Sequence, residues 1–254
     1  MGDVGCGWEG GGGEIMNSGP FLFCGILLAL ASSWWGVIVA PRLQFGLSST
    51  VVPAETGQHY PAGRPGLAQQ GAEVYRSEGC NTCHSQLVRP EGFGFDLALG
   101  WGRRRTVAQD YLRDNPVMLG SVRVGPDLAN IATRMGFGDT NLQPVFVATQ
   151  LKHLYHPRAV TARSVMPAYP YLFEKRAIHG RPSADALKLE GAFAPEAGFE
   201  IVPKPEARAL AAYLLSLRSS VSLPEAPVIP PPTNQVAGAK TNSIPAPAAP
   251  AAKK

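Results

Sequence analysis

The row Cys80-Asn81-Thr82-Cys83-His84 constrains this chain more than any other stretch of it. Two thiols two residues apart can each add across a vinyl group of one haem, and the imidazole directly after them reaches the iron, so the spacing is itself the chemistry. A chain carrying this row has to fold around a rigid macrocycle. The rival readings are poorer. A thioredoxin-type redox pair wants a strand-helix-strand setting, whereas the flanks here read as helical. A zinc site wants about four protein ligands, and the row offers only two cysteines. Cys6 and Cys24 do not extend the row, and four cysteines in 254 residues are too few for a disulfide scaffold. The reading is one covalently bound haem c, on Cys80 and Cys83.

His84 is then one axial ligand by position, and an imidazole ligand normally has its other ring nitrogen held by a carbonyl. The row Gly125-Pro126-Asp127-Leu128 offers one: Pro126 stiffens a loop, and a helix can start at Asp127 and run through Ile131 to Arg134. An ordinary turn and N-cap is the plainer alternative. For the sixth position the choices are Met118, Met135, Met166, His153, His156 or an open site. Met166 precedes Pro167-Ala168-Tyr169-Pro170-Tyr171, too proline-bound to be helical and suited to holding a thioether over a haem face. Met118 and Met135 read more simply as gap-fillers, and the histidines as surface or capping residues near a helix end. Met166 is the ligand expected.

Residues 21–40 contain no charge and are bounded by Pro20 and Pro41. At about 1.5 Å per residue they cross the ~30 Å hydrocarbon core as one helix. The residues before them are acidic and glycine-rich rather than basic, unlike a cleaved signal peptide, so the run is read as an anchor. Cys24 within it reads as a small apolar residue. Arg42 after the helix would by charge bias leave the large domain inside, but haem attachment at such rows takes place on the outer face of energy-conserving membranes. That chemistry outranks one arginine, and the domain is placed in the periplasm of a bacterial inner membrane, single-pass.

The remaining organisation follows from composition. Segment 1–17 precedes the anchor, 18–42; residues 43–66, rich in proline and glycine, read as a linker. Residues 67–221 form the haem domain, and 222–254, where proline interleaves with alanine, read as a disordered tail. Within the domain three helices are expected. One covers residues 67–79, with Gly71 offering close approach to another backbone. The second runs from Pro144 until Pro157 stops it. The third carries Leu210, Tyr213, Leu214 and Leu217 at i, i+3, i+4 and i+7. No strands are expected.

Glycine and proline number 28 and 24 and charged residues only 17%, which excludes collagen, a coiled coil and wholesale disorder. A net charge of +4 is too weak to argue for nucleic acid, which is not expected as a partner. Arg89, Arg123 and Arg134 flank the haem rows and can neutralise propionates, while Arg103-Arg104-Arg105 beside Trp101 can form a docking patch; solvated loop charge is the alternative for each.

Taken together, residues 71–90, the row Arg123-Val124-Gly125-Pro126-Asp127-Leu128, and the stretches 153–158 and 164–172 occur in the order seen in the mono-haem cytochrome c subunit II of cbb(3)-type haem-copper oxidases, which the chain resembles over roughly residues 18–221. The resemblance implies a single membrane anchor, an outward cytochrome c domain, His/Met-ligated iron, and electron delivery to the catalytic subunit of a haem-copper oxidase. Other cytochrome c subunits or donors would supply the electrons. The N-terminus, residues 177–203 and the tail depart from that pattern. The fold class expected is all-α: a single transmembrane helix plus a class I-like cytochrome c domain with long loops. The chain is then an electron carrier and no enzyme on its own. The alternatives are the haem c subunit of a nitric oxide reductase, a free-standing anchored shuttle, or a gas sensor with an open sixth site.

Overall fold

The computed structural model describes residues 18–46, 48–134, 140–219 and 221–228. The N-terminal segment 1–17, Met135 and tail residues 229–254 lie outside them. The chain divides into two units, residues 1–49 and 50–254.

In the first unit, α1 (Gly19–Trp34) passes through a π-helical turn, Trp35–Val39, into α2 (Ala40–Phe45). The helix does not stop at Pro41, as the apolar run suggested; it continues to Phe45 because the backbone widens first. The Ala40 N–H bonds the Trp35 carbonyl, five residues back, and this absorbs a ring that has no N–H to donate and would crowd the preceding turn. The continuous helix, Gly19–Gln44, spans 26 residues. Phe21, Leu22, Phe23, Leu28, Trp34 and Val37 are all more than half exposed along it, an apolar surface that a bilayer covers.

The second unit is built on α3 (Gly66–Ser77), α4 (Gln143–Tyr155) and α5 (Pro205–Ser216). Ala68, Gly71, Ala72 and Tyr75 form the buried face of α3, which lies against Ala209, Leu210 and Tyr213 of α5. A Cβ on Gly71 would sit 1.9 Å from the Ala209 carbonyl oxygen, so only glycine permits this crossing, as the sequence indicated. Leu210, Tyr213, Leu214 and Leu217 are all buried. Phe146, Leu151 and Leu154 of α4 complete the same core.

Two expectations are corrected. The domain is not all-α: β1 (Phe173–Ala177) pairs antiparallel with β2 (Phe199–Pro203), Phe173 opposite Pro203 and Ala177 opposite Phe199. Phe173 and Ile201 join the core cluster with the helices, while Glu174, Lys175 and Arg176 are exposed. The sequence between, with its charges and turn formers, disguised two short strands far apart in sequence. Residues 127–134 are likewise not a helix but a run of turns, in which the Asp127 side chain caps the Ala129 N–H.

The linker and tail also carry more structure than expected. Tyr60 is 7% exposed and packs with Val107, Leu223 and Ala226. Its hydroxyl donates to Asp110 at 2.6 Å, and Arg64 forms an ion pair with Asp114. Residues 222–228 are therefore part of the packed unit, because Leu223 and Ala226 close a small apolar cluster that no helical period announces.

Candidate functional site

Directly after α3 the chain makes a tight 3-10 turn, Cys80–Thr82, in which the Cys80 carbonyl accepts from the N–H groups of both Cys83 (3.2 Å) and His84 (2.9 Å). Both cysteines of this turn are free and partly exposed. Burial first, then the Glu78 carboxylate, pushes the Cys80 thiol up to about 11.

The His84 Nδ1 lies 2.8 Å from the Pro126 carbonyl oxygen. A carbonyl only accepts, so Nδ1 carries the proton and Nε2 keeps its lone pair for a metal. Gly125 makes the approach possible: a Cβ there would meet His84 Cε1 at 2.2 Å. The loop is sewn to the cysteine row by Gly125 N–H to Cys83 O (3.0 Å) and Leu128 N–H to Ser85 O (2.7 Å). Asp127, fully buried, accepts from the Ser85 hydroxyl and the Leu87 N–H, both at 2.7 Å.

Met166 sits at the margin of the main core, packed against the same cluster as Cys80, Ile131, Val147, Tyr155 and Tyr169. The non-helical segment that carries it is fixed by Tyr169 N–H to Leu154 O (3.0 Å) and by the Ser164 hydroxyl, which receives the Met166 N–H at 3.3 Å. Met118 is 8% exposed and belongs to the core interior, as a gap-filler does. His153 is closer to the site than its reading as a surface or capping residue implied: burial lowers its pKa, and the nearby His84 lowers it further. Its place on α4 relative to the cysteine row is a tertiary fact with no local signal.

The arginines differ from expectation. Arg123 donates to Ser85 Oγ and to Asp96 Oδ1, both at 2.7 Å, and to the Leu87 carbonyl; Arg89 donates to Asp96 at 2.8 Å. Both brace the loop 89–96 through Asp96. Burial alone would raise the Asp96 carboxyl, but hydrogen bonds from Arg89 and Arg123 outweigh it and hold it well below the usual carboxylate range. Arg104 is no part of an exposed docking patch: it pairs with Asp110 at 2.7 Å, the two side chains being 1% and 3% exposed. Arg134 bonds the Asp127 carbonyl and lies over the Trp101 ring. The pairs Tyr60–Asp110 and Arg64–Asp114 were missed, since each joins residues some fifty positions apart.

Paired thiols on one turn, an imidazole with Nδ1 already committed, and a thioether on the same core margin fit a haem in the chemistry of the donor set. With the exposed apolar helix, they define the class: a membrane-associated, haem-carrying electron-transfer protein. Residues 17–188 match the family model of the cytochrome c oxidase mono-haem subunit, FixO, and the chain belongs to that family. It is thereby the mono-haem cytochrome c subunit of a terminal oxidase complex. No curated protein matches the chain.

Proposed function

We propose that the chain binds its haem covalently through Cys80 and Cys83, with His84 and Met166 on the iron, and relays electrons from cytochrome donors to the haem-copper catalytic subunit. The domain stands in the periplasm, anchored by the single helix of residues 19–44. When bound, the haem supplies a reversible one-electron couple. The rest is the work of the chain. The Pro126 carbonyl orients His84 and strengthens it as a donor, the core margin around Met166 keeps water from the thioether, and the thiols tether the group against loss during turnover. The observation that carries this reading is the 2.8 Å contact from His84 Nδ1 to the Pro126 carbonyl within a CxxCH row.

The purified oxidase complex tests it. Replacing both Cys80 and Cys83 by alanine should abolish oxygen consumption driven by a reduced cytochrome donor while the optical spectrum of the catalytic subunit is retained. Unchanged donor-driven turnover would contradict the relay.

A further inference from the structure

We infer that Asp127 is a positioning residue for His84, and that its buried charge holds the reduction potential of the site down. The inference rests on the haem reading above. The carbonyl that accepts from His84 belongs to the peptide unit joining Pro126 to Asp127, and that unit is planar. Whatever fixes Asp127 therefore fixes the direction of the acceptor. Asp127 is fixed from three sides: Oδ2 accepts from Ser85 Oγ and Leu87 N–H, each at 2.7 Å, and Oδ1 from Ala129 N–H at 2.9 Å. Ser85 and Leu87 lie one and three residues beyond His84, so one carboxylate ties the ligand's own segment to the loop carrying its hydrogen-bond partner.

The charge matters as well as the shape. Asp127 is 0% exposed; its carboxylate stands 3.8 Å from Arg123, which bonds Asp96 at 2.7 Å, and its main-chain carbonyl accepts from Arg134. The Ser85 hydroxyl links them, accepting from Arg123 Nε at 2.7 Å and donating to Asp127. A buried carboxylate on the residue next to the carbonyl that holds the imidazole, bonded to the residue next to His84, favours the more positive, oxidised state of the site. A well-aligned carbonyl on Nδ1 acts in the same direction by making the imidazole a stronger donor. Removing Asp127's charge loosens the carbonyl and deletes the anion, and both effects raise the potential.

The test uses the full-length holoprotein in detergent, comparing wild type, Asp127→Asn, Ser85→Ala and Arg123→Gln by redox titration, with proton NMR of the reduced state following the His84 Nδ1–H. Asp127→Asn should raise the potential and move the Nδ1–H resonance upfield, as expected of a weaker hydrogen bond. Ser85→Ala keeps the charge and should change the potential far less. Arg123→Gln removes a cation facing Asp127 and should lower the potential, so the inference stays testable even where Asp127→Asn fails to accumulate. Unshifted potentials in both charge variants, or shifts of the same sign, would reduce Asp127 to a scaffold and overturn it. A wild-type chain without covalent haem would instead overturn the underlying reading.

Discussion

Met166 is the residue proposed for the sixth position of the iron. A thioether on the iron stabilises the ferrous state, so Met166→Ala should lose the weak far-red sulfur-to-iron absorption, lower the potential and admit carbon monoxide to the reduced protein. Covalent attachment should persist, because Cys80 and Cys83 act independently of that ligand. Retention of the band in Met166→Ala together with its loss in Met118→Ala would move the assignment. Asp96 makes a different prediction at the same scale. Its folded pKa lies below its unfolded one, so its stabilisation is complete above the ordinary carboxylate pKa of ~3.9 and is lost as pH falls from there toward the folded value. Urea midpoints should therefore drop more steeply from about pH 4 down to about pH 2, within the window below the unfolded pKa, in wild type than in Asp96→Asn; equal slopes would contradict it.

At the scale of elements, α3 and α5 meet through a contact that admits no side chain at Gly71. Gly71→Ala should cost at least the ~1–3 kcal/mol typical of overpacking, read as a fall in the thermal midpoint, because the clash is with backbone and not with a movable side chain. The three α-helices among the described residues of the second unit were legible in sequence: α5 by its apolar spacing, α4 by its flanking prolines, and α3 by Leu67, Ala68, Ala72 and Tyr75 on one side. The hairpin was not. β1 and β2 are five residues each and separated by more than twenty, and strands this short show too few alternations to be told from loop. The turns after Pro126 were mistaken for a helix because Asp127 is a good N-cap residue. Here its carboxylate caps one N–H and spends its remaining capacity on Ser85 and Leu87, which no local pattern encodes.

The whole of the second unit is held by pairs that cross the sequence. Asp110 accepts from both terminal nitrogens of Arg104, from Tyr60 and from the Val107 N–H, joining the segment before α3 to the loops beyond the haem row. Asp110→Ala leaves a buried guanidinium unpaired and should destabilise the protein by about 3–5 kcal/mol in chemical denaturation; a loss below 1 kcal/mol, on the order of an exposed pair, would contradict the account. The cysteine row and the Pro126 loop were readable because haem chemistry prescribes their residue types. Tyr60, Arg64 and Leu223 were not, since burial at a tertiary seam leaves no period in the residues that make it.

The central claim is that this chain carries one haem bound through Cys80 and Cys83. It is tested most directly by intact-protein mass spectrometry and pyridine haemochrome titration of the membrane-extracted protein after acid acetone treatment, in wild type and in a Cys80→Ala/Cys83→Ala double variant. The account predicts one haem per wild-type chain that survives extraction, and none in the variant. Haem removed from wild type by acid acetone, or a ratio near two, would contradict it.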